Sequence, residues 1–80
     1  MRIPSDIDGK ALATLLERYD YKITRQTGSH MRLTSNQCGK EHHVTIPDHS
    51  PLRIGTLSAI LTDVANYLNV SKDDLVREIF

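Results

Sequence analysis

Apolar residues recur at helical spacing in some stretches and at alternate positions in others, and that rhythm divides the chain. Ala11, Leu12, Leu15, Leu16 and Tyr19 fall on one stripe of a helix from about Gly9 to Tyr19. Asp8 stands at its N-cap, with Ile7 and Leu12 at the two ends of a hydrophobic staple. Alternation then takes over. In Tyr21 to Gln26, Tyr21 and Ile23 point one way and Lys22, Thr24 and Gln26 the other. His30 to Thr34 sets Met31 and Leu33 against His30, Arg32 and Thr34, and Glu41 to Ile46 sets His42, Val44 and Ile46 against His43 and Thr45. Pro47, with no N–H for a ladder, stops the third strand. Leu57, Ile60, Leu61, Val64, Ala65 and Leu68 restore the helical period from about Gly55 to Leu68. Asn69 suits the left-handed position that ends a helix. Ser71 with Asp74 opens a short last helix whose Leu75, Val76, Ile79 and Phe80 dock back on the core.

The strands are joined by short polar segments. Gly28 gives the first hairpin its backbone freedom, and Thr27 and Ser29 can hydrogen-bond within the turn. Ser35-Asn36-Gln37-Cys38-Gly39-Lys40 closes the second. The expected architecture is α+β: a three-stranded antiparallel meander with two helices on one face and a short C-terminal helix, in one unit spanning 1–80. The other face stays open and presents Lys22, Thr24, Gln26, His30, Arg32, Thr34, His43 and Thr45.

Composition narrows the classes. Apolar residues make up 39% and charged residues 25%, a globular balance, and no apolar run is long enough for a membrane span. A lone Cys38 and the lack of an apolar leader pattern at the N-terminus point to a cytoplasmic protein. Formal net charge is zero, but residues 21–56 hold five Lys or Arg against two Asp or Glu, together with all four histidines. That middle stretch is the part suited to phosphate.

His30 follows the Gly28 turn and shares its face with Arg32. Imidazole can accept or donate a proton near neutral pH, and a guanidinium beside it can hold a phosphodiester. A solvated strand histidine without a role satisfies the same pattern. Lys22 and Arg32 are candidates for RNA phosphate, or ordinary strand charges. His43 is a candidate RNA contact, or a second proton carrier beside His30, on the outer face, whereas parity turns His42 inward as a hydrogen-bonded, partly buried ring. Cys38, His42, His43 and His49 are zinc-ligand types, but their spacing fits no structural zinc pattern. Neither metal nor cofactor is expected.

Asp8-Gly9-Lys10 with its Leu-rich helix, Gly28-Ser29-His30, Val44-Thr45-Ile46-Pro47 with His49, and Gly55-Thr56-Leu57 through Ile60-Leu61 appear in that order. In this the chain resembles the HicA family of bacterial toxins, the YcfA-like mRNA interferases. The resemblance implies a fold like that of double-stranded-RNA-binding domains, α-β-β-β-α. It implies ribosome-independent cleavage of mRNA and inhibition by a HicB antitoxin. It carries the catalytic role onto His30, with Gly28 and Ser29 supporting it, and makes His49 a candidate contact to RNA or antitoxin, or a residue that only helps to shape its turn. A catalytically silent RNA-binding domain and a protein-interaction module are the alternatives.

Overall fold

The computed structural model describes residues 3–80, so residues 1 and 2 of the expected 1–80 unit lie outside the described residues. The elements are α1 (Gly9–Leu16), a 3-10 turn (Glu17–Tyr19), β1 (Lys22–Thr27), β2 (His30–Ser35), β3 (His42–Pro47), α2 (Ile54–Leu68) and α3 (Lys72–Ile79). The strands form one antiparallel sheet in the order β1-β2-β3. This is the expected α-β-β-β-α order with the extra C-terminal helix, like that of double-stranded-RNA-binding domains.

The helical stripes bury largely as their spacing requires, except that Ala11 is exposed and Ala13 is buried instead. Leu12 and Leu16 of α1 and Leu57, Leu61 and Val64 of α2 are fully buried against Met31, Leu33, Val44 and Ile46 on the inner face of the sheet. Leu75, Val76 and Ile79 bring α3 onto the same core. Asn69 ends α2 in the left-handed region with φ 58°, and the Ser71 hydroxyl accepts the Asp74 N–H at 3.0 Å. Asp8 does precede α1 with extended backbone, but its carboxylate caps nothing. Instead it accepts the Ser50 hydroxyl at 2.6 Å, tying α1 to the loop after β3.

One strand departs from its expected alternation. A bulge between Ile23 and Arg25 sets Thr24 and Arg25 together against Arg32, so the parity of β1 reverses beyond it. Gln26, expected on the open face, pairs with Met31 on the inner side, and Arg25 takes the outward place opposite Arg32. Ile23, expected in the core, pairs with the buried Leu33, yet it is 51% exposed because α1 does not extend over it. A groove of about 440 Å³ is left there between α1 and β1, lined by Ala13, Thr14, Tyr21, Ile23, Gln26 and Met31.

Candidate active site

A two-residue loop, Gly28-Ser29, joins β1 to β2. Gly28 has φ +57° at the first central position, while Ser29 keeps a negative φ, the arrangement of a type II′ turn. That turn sets the register that pairs Thr27 with His30. His30 is thus the first residue of the central strand, exposed, with Thr27 on one side and Pro47 on the other. Its ring stands clear of the helices, on the open face.

Two residues along the same face, Arg32 lies between Arg25 of β1 and Thr45 of β3. Side chains directly opposite on a sheet sit about 5 Å apart at Cβ, and like charges in that position repel. Among the described residues neither guanidinium has an acidic partner. An anion between them removes the penalty, so the pair is suited to a phosphate. Arg25 was not among the residues expected here. Simple alternation puts it inward, and only the bulge brings it out.

The other expected residues divide into two groups. Lys22 and His43 flank Thr34 at the far end of the face. Thr34 is four residues from His30, or about 13 Å along the strand. Lys22 pairs with Asp20 at 3.5 Å. His43 has both ring nitrogens engaged, Nδ1 with the Thr34 hydroxyl at 2.8 Å and Nε2 with Glu41 at 2.9 Å. Thr34 continues this chain to Thr24, hydroxyl to hydroxyl, at 2.8 Å. These residues share the open face with His30 but do not meet it.

His49 belongs to the near end. Asp48 N–H donates to the Ser29 carbonyl at 2.6 Å, and Gly9 N–H donates to the His49 carbonyl at 3.0 Å. The loop after β3 and the start of α1 are thereby drawn beside the Gly28 turn. Lys10 of α1 lies 3.6 Å from the Asp48 carboxylate.

His42 turns inward as expected, half-buried and stacked on Tyr67 with centroids 4.6 Å apart. Burial, with Tyr67 and Asp63 adding to it, pushes the Tyr21 phenol well above its ordinary range, so Tyr21 stays a donor. Its O–H donates to His42 Nδ1 at 2.6 Å, which leaves Nε2–H to donate to Asp63 at 3.1 Å. Since Tyr21 is fully buried, this chain holds α2 against β3 rather than facing a substrate. Among the described residues no three His, Cys, Asp or Glu side chains converge as metal ligands, and no helix is long and apolar enough to cross a membrane.

Residues 9–65 match the family model described as HicA toxin of bacterial toxin-antitoxin. The match takes in α1, the sheet with its Gly28 turn, the loop bearing His49, and α2 as far as Ala65. No curated protein and no solved structure matches the chain.

Proposed function

Because the chain belongs to the HicA family of toxins of bacterial toxin–antitoxin systems, we propose that it is an endoribonuclease that cuts mRNA in the cytoplasm through His30 and is held in check by a HicB-type antitoxin. Support comes from one observation above all: an exposed imidazole at the exit of the II′ turn, two residues from a facing pair of arginines. RNA supplies its own nucleophile, the 2′-hydroxyl, so strand cleavage needs proton transfer and charge stabilisation and no metal or cofactor. A single strand laid over the open face would have a phosphate held by Arg25 and Arg32, with His30 accepting or donating a proton at an adjacent phosphodiester. Lys22 and His43, about 13 Å away, would meet the strand roughly two nucleotides further on.

The test is cleavage of a single-stranded RNA by the purified wild type and by His30→Ala. Loss of one acid–base group is expected to slow cleavage by about 10²–10⁴-fold. Salt-dependent RNA binding should persist, since the arginines are untouched. Equal cleavage by the two proteins, free of contaminating nuclease, would remove His30 from the mechanism. Binding without cleavage by the wild type would make the chain a silent RNA-binding domain.

A further inference from the structure

An imidazole that removes the 2′-hydroxyl proton leaves the departing 5′-oxygen in need of one, so a second proton carrier is wanted within a few ångströms of His30. Of the other histidines, His42 is locked to Tyr21 and Asp63, and His43 is held by Thr34 and Glu41 about 13 Å along the sheet. His49 is exposed, and among the described residues neither its ring nor that of His30 forms a hydrogen bond or ion pair.

The backbone fixes where His49 stands. His30 pairs with Pro47, and the ladder runs on past the end of β3: Asp48 N–H turns toward β2 and donates to Ser29, while the His49 carbonyl turns away and accepts from Gly9. In extended chain successive residues present their N–H and C=O to opposite edges, as Asp48 and His49 do, so side chains keep alternating through residues 48 and 49. Asp48 agrees, since its carboxylate reaches Lys10 on the side covered by the helices. His49 therefore falls on the open face, one strand over from His30 and two residues along. Such diagonal neighbours lie about 7–8 Å apart, close enough for two aromatic side chains to reach one group between them. The loop is also pinned on both sides of His49, before it by Asp48 N–H to Ser29, and at and after it by Gly9 to its carbonyl, by Ser50 to Asp8, and by Leu52 N–H to the Ile7 carbonyl at 2.8 Å.

We infer that His49 is the second catalytic residue, and that the two imidazoles flank one phosphodiester. The inference rests on the ribonuclease reading given above. One neutral ring takes the 2′-hydroxyl proton as O2′ bonds to phosphorus. The other, protonated, gives its proton to O5′ as the P–O5′ bond breaks. The products are a 2′,3′-cyclic phosphate and a 5′-hydroxyl, with the two rings left in exchanged protonation states that solvent resets.

The experiment compares wild type, His30→Ala, His49→Ala and His49→Gln on a single-stranded RNA and on uridine 3′-(4-nitrophenyl phosphate), whose leaving group needs no proton. With one ring neutral and one charged, the wild-type rate should be bell-shaped over about pH 5–8, and each His49 variant should lose one limb and about 10²–10⁴-fold in RNA cleavage. Thermal melting should match the wild type, since the side chain is exposed and unbonded. Whichever of His30→Ala and His49→Ala has lost the acid should recover on the nitrophenyl ester, and the other should not. RNA cleavage by His49→Ala within about threefold of the wild type, or a slower rate with both limbs intact, would overturn the inference. Full activity of His49→Ala beside an inactive His30→Ala would remove His49 alone. Equal activity of wild type and His30→Ala would remove the ribonuclease reading and this inference together.

Discussion

Gly28 shows how one backbone angle places a reactive group. Its φ of +57° lies where residues with a Cβ are strained, although no atom lies within 4 Å of where that Cβ would be. A side chain there is resisted by the backbone, not by crowding. Gly28→Val is expected to destabilise the protein by about 1–2 kcal/mol, with Gly28→Asn costing less because Asn tolerates this region. Urea denaturation measures both. Cleavage should fall in the same order, because the turn sets the register that delivers His30; an active, fully stable Gly28→Val protein would contradict this. The turn and the exposure of His30 were legible in the sequence because both depend on neighbouring residues alone. The position of His49 was not, because it depends on Asp48 meeting Ser29 and on Gly9, forty residues earlier in the chain, meeting His49.

Helices announced themselves more clearly than the first strand. In α2 every third or fourth residue is apolar, and the core reads that stripe without exception from Leu57 to Ala65. In β1 the segment Thr24-Arg25-Gln26-Thr27 contains no apolar residue to fix which side faces in, so a register shift costs little burial. The bulge that follows from this moves Arg25 to the open face, and neither Gly nor Pro marks it in the sequence. Another hidden constraint lies where α1 meets the end of β3. A Cβ on Gly9 would collide with the Pro47 carbonyl. Gly9→Ala must therefore push α1 away from the Pro47–His49 segment and weaken the Gly9–His49 hydrogen bond. A loss of about 1–3 kcal/mol is expected, typical of substitutions that crowd packed backbone. RNA cleavage should fall further than Gly28→Asn lowers it, since Gly9 supports the His49 loop directly. Wild-type stability in Gly9→Ala would show that the two elements can separate without cost.

Zero net charge over the whole chain conceals both a basic central stretch and two phenols that bind the molecule together. Tyr19 donates to Glu78 at 2.5 Å and Arg18 to the Glu78 carbonyl at 2.8 Å, so the 3-10 turn after α1 is fastened to α3. Burial, reinforced by the Glu78 carboxylate, pushes the Tyr19 phenol from 10.0 up to about 12, and burial raises Tyr21 as well. The folded protein thus keeps these protons at a pH where the unfolded chain has released them. In that window the unfolded state binds fewer protons, so the free energy of unfolding falls as pH rises. The stabilisation is complete below 10.0, the value in the free side chain, and is lost as pH climbs through about 12. Urea melts across this range should show wild-type stability falling steeply and Tyr19→Phe falling less, and equal slopes would mean that the Tyr19 proton is not linked to folding. Imidazoles titrate several units lower, near 6.5 when free. A limb of the pH–rate profile near neutrality therefore cannot be the onset of this unfolding, and has to come from groups other than the two phenols.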